Sequence, residues 1–139
     1  MWGSTSKIAY SLQGGLERED IPVTMRALKT NHISDVLTDV LFSKAILVGS
    51  PTLNNGIFPT VGAFLTYLKG LRPKKRMGFA FGSYGWGGQA IGEIETVIRN
   101  LGWEMALPAI NIQYLPNEEE LDNLKKMGQK LGRLIKQWK

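Results

Sequence analysis

The chain reads as an α/β fold built around a parallel sheet, and three observations predict it. Two short, almost wholly apolar runs, AILVGS at 45–50 and MGFAFG at 77–82, have the character of parallel strands buried on both faces. Each is followed, after a loop rich in Gly, Ser, Thr or Asn, by a segment whose apolar residues recur every three or four positions, as in an amphipathic helix. Strand and helix alternate throughout, the order that places a parallel sheet between helical layers.

Each element follows from its own spacing. Ile8, Ala9, Leu12 and Leu16 lie at helical intervals after Gly3-Ser4-Thr5, which predicts a helix over about Ser4–Arg18 that starts almost at the first residue. Ile21–Leu28 reads as a strand. Ile33, Val36, Leu37, Val40 and Leu41 predict a second helix, Ala45–Ser50 a buried strand, and Val61, Phe64, Leu65 and Leu68 a third helix. Met77–Gly82 is the next buried strand; Ile91, Ile94, Val97, Ile98 and Leu101 mark a fourth helix closed by Gly102. Trp103–Gln113 holds the last strand. A final helix starts after Asn117, its N-cap, with Glu118, Glu119 and Glu120 at the positive end of the dipole and Leu121, Leu124, Gly128, Leu131, Ile135 and Trp138 on its inner face.

Composition removes several function classes. The 139 residues include no cysteine and one histidine, His32, which excludes disulfides, thiolate metal sites, iron–sulfur ligation and a histidine-rich metal centre. Redox chemistry here requires a bound organic cofactor. No apolar run approaches the ~20 residues of a membrane helix, and the N-terminus lacks the basic-then-apolar order of a secretory signal, so the expected location is cytoplasmic, without membrane association. The net charge of +5 comes from 17 basic and 12 acidic residues, with basic clusters at Arg72–Arg76 and along the last helix. They read as a solvated face, since no nucleic-acid motif accompanies them. His32 reads as a solvated loop residue, and Trp103 and Trp138 as packing residues.

Ligands of such folds bind beyond the carboxyl ends of the strands. Three segments occupy that edge: Gly3-Ser4-Thr5, Pro51–Gly56 and Ser83–Gly88. In the stretch FAFGSYGWGGQA, Gly82, Gly85, Gly87 and Gly88 free the backbone from side-chain bulk, while Tyr84 and Trp86 offer stacking faces, a combination that suits a planar ligand. Hydroxyls in the first turn of a helix favour a phosphate, although Ser4 also fits a plain N-cap. Asn54-Asn55-Gly56 fits either a ligand contact or a turn.

MWGSTSKIA, VGSPTLNNGIFPTV and FGSYGWGGQA, with the strand–helix order around them, resemble the flavodoxin-like domain of flavodiiron proteins, also called A-type flavoproteins. The likeness spans the whole chain, residues 1–139, as one flavodoxin-like three-layer sandwich. It implies FMN as cofactor, with Gly3, Ser4 and Thr5 at the phosphate. Pro51, Thr52, Leu53, Asn54, Asn55 and Gly56 then lie along the ring and ribityl chain, and Ser83, Tyr84, Gly85, Trp86, Gly87 and Gly88 form the other wall, with Trp86 stacking on the ring. The family passes electrons from FMN to a non-haem diiron centre in a separate domain that reduces O2 or NO. The implied partners are therefore that diiron domain, a rubredoxin-like or other electron donor, and a second copy in a homo-oligomer. The alternatives are an FMN-dependent quinone or NAD(P)H reductase of the same fold and a flavin-free interaction module.

The chain departs from the family pattern in two respects. The strand that normally occupies the centre of the sheet and feeds the phosphate loop has no counterpart ahead of Met1, which implies a domain truncated at its N-terminus, a strand supplied from elsewhere, or strands that re-pair across the gap. Its basic charge also differs from the usual acidity of free-standing flavodoxins.

Overall fold

A computed structural model describes residues 4–53, 56, 57, 59–84, 89–113 and 115–138. In chain order these form α1 (Ser4–Arg18), α2 (Ile33–Leu41), β1 (Ala45–Leu53), β2 (Gly56–Ile57), α3 (Pro59–Leu71), β3 (Met77–Tyr84), α4 (Gln89–Asn100), β4 (Glu104–Met105), β5 (Ile110–Gln113) and α5 (Glu118–Gln137). All five helices match the sequence reading.

β3 is the best-flanked strand. It runs parallel to β1 from Ala45↔Met77 to Pro51↔Ser83, and its other edge pairs in parallel first with β4 and then with β5. β2 folds back antiparallel on the end of β1, with Thr52 opposite Ile57 and Leu53 opposite Gly56. The two-residue alternation of β3 divides its side chains between two cores. Met77, Phe79 and Phe81 join Ile8, Leu12 and Leu16 of α1 and Leu124, Leu131 and Ile135 of α5. On the opposite face Ala80 joins Ile46, Val48 and the apolar stripes of α2, α3 and α4. Strands at the centre with helices on both faces make the three layers.

Two glycines set the spacing of the α1–α5 layer. A Cβ on Gly15 would stand 2.1 Å from the Lys125 carbonyl oxygen and 2.8 Å from the Gly128 Cα, and one on Gly128 would stand 2.4 Å from the Leu12 carbonyl oxygen. The two backbones touch, and only glycine fits at the crossing. At the start of α5, Asn117 caps the helix: its side chain accepts from the Glu120 amide at 2.8 Å while Glu120 Oε1 accepts from the Asn117 amide at 3.1 Å. Trp103 is buried as expected and donates from Nε1 to the Pro73 carbonyl at 2.7 Å.

Three expectations are corrected. Ile21–Leu28 does not form a strand: no ladder pairs it with any described residue, and a strand is stabilised only by a neighbour's hydrogen bonds. The last strand is split into β4 and β5 by Ala106–Ala109, where Pro108 lacks a backbone donor. Finally, the basic cluster is not all solvated, while His32 is exposed, as expected. Arg76 is half-buried and donates to the Val40 and Leu41 carbonyls at 3.2 and 2.9 Å, satisfying the C-terminus of α2, while His32 caps its start by accepting from the Ser34 amide at 3.1 Å.

Candidate functional site

The carboxyl ends of β1 and β3 lie side by side because their register pairs Ser50 with Gly82 and Pro51 with Ser83. This close approach depends on sequence: a Cβ on Gly82 would stand 2.3 Å from the Ser50 carbonyl oxygen. Just beyond, the chain places hydroxyls where the neighbouring strand segments are apolar. Ser4, Ser50, Thr52 and Ser83 are the buried polar residues of this edge. Thr5 Oγ1 and Ser83 Oγ are 2.8 Å apart, which ties the first turn of α1 to the end of β3. Thr52 Oγ1 accepts from the Ala90 amide at 3.3 Å, tying the end of β1 to the first turn of α4. Tyr84 follows Ser83 as a half-buried aromatic at the tip of β3.

The electrostatics of the edge come from helix termini. The first turns of α1, α3 and α4 contain no acidic residue, whereas α5 opens with Glu118, Glu119 and Glu120. Unpaired N–H groups and the helix dipole favour negative charge at an N-terminus. At α5 side chains supply that charge, and at α1, α3 and α4 they do not. The arrangement has the donor chemistry that a phosphate needs, with an aromatic side chain nearby for a flat ring.

Of the residues singled out from sequence, Ser4, Thr5, Pro51, Thr52, Ser83 and Tyr84 are brought to one edge. Leu53 and Gly56 belong to the backbone pairing of β1 with β2. Gly3, Asn54, Asn55, Gly85, Trp86, Gly87 and Gly88 lie outside the described residues. Sequence reasoning passed over Ser50, which is buried with its hydroxyl bonded to the Pro51 carbonyl at 2.7 Å, because a lone serine at the end of an apolar run carries no pattern. Two open grooves, one between α4 and the β4–β5 connection and one between α3 and α4, do not gather these hydroxyls. Among the described residues no group of three or more His, Asp or Glu is arranged to hold a metal, and no helix is long and apolar enough to cross a membrane.

A parallel α/β sandwich with hydroxyl-bearing loops and acid-free helix N-termini at its carboxyl edge defines the flavodoxin-like class. The flavodoxin family profile matches residues 1–128, and the chain belongs to that family. Its curated relatives include a nitric oxide reductase of Moorella thermoacetica, 40% identical over 136 residues, covering 97% of this chain and 34% of the relative. A rubredoxin-oxygen oxidoreductase of Megalodesulfovibrio gigas is 35% identical over 136 residues, with 98% and 34% covered. Among solved structures, the rubredoxin oxygen:oxidoreductase from Desulfovibrio gigas superposes with a TM-score of 0.93 at 35% identity, over 99% of this chain and 34% of that one. The flavodiiron protein from Giardia intestinalis gives 0.92 at 28% identity, over 99% and 34%. This chain thus corresponds to the flavodoxin-like part of flavodiiron proteins and spans about a third of the length of the relatives it matches.

Proposed function

We propose that the chain binds FMN at the carboxyl edge of β1 and β3 and, as the flavin module of a larger system, passes electrons to a diiron centre that reduces O2 or NO. The observation that carries this reading is the Ser4–Thr5–Ser83 hydroxyl group at the acid-free N-terminus of α1. Gly3, Ser4 and Thr5 hold the phosphate through backbone N–H groups and hydroxyls. The Thr52–Ala90 hydrogen bond fixes the end of β1 against α4, and Pro51–Gly56 would line one side of the ring and ribityl chain. Ser83–Gly88 lines the other, with Trp86 as the stacking residue.

When bound, FMN supplies the redox chemistry. The side chains of this chain bind it, orient it and limit water at its face; no acid, base or nucleophile from the chain enters the reaction. Iron is held by a separate domain, electrons arrive from a rubredoxin-like or other donor, the assembly is a homo-oligomer, and its compartment is the cytoplasm.

Titration with FMN, followed by absorbance and flavin fluorescence, tests the binding step. One-to-one binding that weakens in Ser4→Ala and Trp86→Ala supports it; a protein that purifies colourless and leaves FMN fluorescence unchanged refutes it. Turnover of NAD(P)H or quinone by the isolated flavin-loaded chain, with no carrier protein, would favour a self-sufficient reductase instead.

A further inference from the structure

The turn from α3 into β3 holds two residues in the left-handed region, Arg72 at φ 47° and Lys75 at φ 56°. There a Cβ crowds the following carbonyl oxygen, and glycine would relieve the clash. No contact inside the molecule offsets this strain. Both side chains are exposed, as is that of Lys74, and among the described residues no carboxylate pairs with any of the three. The turn is nevertheless fixed in place. The Arg72 amide donates to the Leu68 carbonyl at 2.9 Å, Trp103 Nε1 donates to the Pro73 carbonyl at 2.7 Å, and the Arg76 guanidinium donates to the Lys74 carbonyl.

The same guanidinium joins this turn to the end of α2, because it also donates to the Val40 and Leu41 carbonyls at 3.2 and 2.9 Å. There Leu41 and Phe42 are exposed, and Phe42, at 87%, is more so than any other large hydrophobic among the described residues. Phe42 caps α2 through its backbone N–H, bonded to the Asp39 and Val40 carbonyls, so the helix end has no need of a phenyl ring. Leu71, also exposed, opens the basic turn. From Lys69 to Arg76 the sequence has five basic residues and no acidic one. Of the neighbouring acids, Asp39 is paired with Arg26 at 2.7 Å, and Glu104 borders the turn through its amide, bonded to the Arg76 carbonyl at 3.1 Å. The amino ends of β1 and β3 thus carry exposed apolar side chains beside a row of rigidly mounted cations.

We propose that this surface docks an acidic segment of a protein partner, which sets an apolar side chain on Leu41 and Phe42 and its carboxylates against Arg72, Lys74 and Lys75. Charge complementarity gives the partner its sign. The fixed turn gives its class: side chains held in set directions favour carboxylates on an ordered segment, whereas mobile lipid headgroups gain nothing from such preorganisation. A single-stranded nucleic acid needs aromatic faces for successive bases, and residues 41–44 and 69–76 offer Phe42 alone. The surface lies at the opposite end of the strands from the Ser4–Thr5–Ser83 hydroxyls, so docking there leaves that edge open and does not depend on flavin.

The test is fluorescence anisotropy with a labelled peptide of about ten residues, Asp and Glu around one central Leu, titrated with the 139-residue chain and its variants. Phe42→Ser is expected to weaken binding by about tenfold and Lys75→Gly by about threefold, while Lys126→Gln, which removes an exposed charge from α5, leaves it unchanged. Lys75→Gly should also unfold at a urea midpoint no lower than the parent's, so that its weaker binding is not a loss of fold. Saturating FMN is expected to leave the peptide affinity unchanged. Equal weakening by Lys126→Gln overturns the proposal, since attraction is then a matter of net charge. A Lys75→Gly chain less stable than the parent overturns it too, because the left-handed turn then serves the fold. So does absence of peptide binding, whether the chain instead binds phosphatidylserine vesicles or oligothymidylate, or self-associates in a manner that Phe42→Ser abolishes.

Discussion

Adjacent glycines in α1 should respond to alanine in opposite directions. Gly14 has no atom within 4 Å of an added Cβ, whereas a Cβ on Gly15 meets only backbone of α5: the Lys125 carbonyl oxygen at 2.1 Å, the Gln129 nitrogen at 2.8 Å and the Gly128 Cα at 2.8 Å. Ordinary contacts begin at about 3.5 Å, so α1 and α5 must move apart by more than about 1 Å. That movement loosens Leu12, Leu16, Leu124 and Leu131, which pack between the helices. Overpacking costs about 1–3 kcal/mol, and the upper end applies because no flexible side chain can give way. Alanine returns about 1 kcal/mol of helix propensity at either site. Gly15→Ala should therefore lose about 2 kcal/mol, and Gly14→Ala should gain about 0.5–1 kcal/mol. At roughly 4 °C per kcal/mol for a chain of this size, melting temperatures should fall by roughly 8 °C and rise by roughly 3 °C. Urea unfolding measures both, with unchanged m-values expected. If Gly15→Ala is as stable as the parent, the backbones do not meet at this crossing and the packing of the α1–α5 layer is wrong.

Other outcomes follow from single contacts. Trp103→Phe leaves the Pro73 carbonyl without its donor and opens space beside α4, and should lower stability by about 2–3 kcal/mol in urea unfolding. Arg76→Ala removes two carbonyl contacts at the end of α2 and should cost about 1–2 kcal/mol, with amide exchange faster first in α2. Ser83→Ala deprives Thr5 of its partner, and should lower stability by about 1 kcal/mol and weaken FMN binding in the same titration used for Ser4→Ala.

The helices were legible because each carries a stripe that must be buried, and spacing alone reveals such a stripe. β1 and β3 were legible as apolar runs, and their ends were read short because Pro51–Leu53 and Ser83–Tyr84 have turn-like composition but continue the ladder. The failure at Ile21–Leu28 has a different origin. Its side-chain pattern is that of a strand, but a strand also needs a partner, and local sequence does not report one. Arg76 was misread for a related reason: the carbonyls it satisfies belong to α2, 35 and 36 positions away in the chain. At the candidate site, glycine and hydroxyl content marked the correct edge, while the pairing of Thr5 with Ser83 and of Thr52 with Ala90 emerged only when the strands were in register.

The most direct measurement of the central claim is an FMN titration observed at the amides of Ser4, Thr5, Thr52, Ser83 and Ala90 by NMR. Saturable, one-to-one shifts that centre on these five residues and leave the amides around Arg76, at the opposite end of the strands, unmoved are the predicted result. Saturable binding whose shifts centre on the α3–α4 groove or the basic Arg72–Arg76 segment, or no shifts at all, would contradict it.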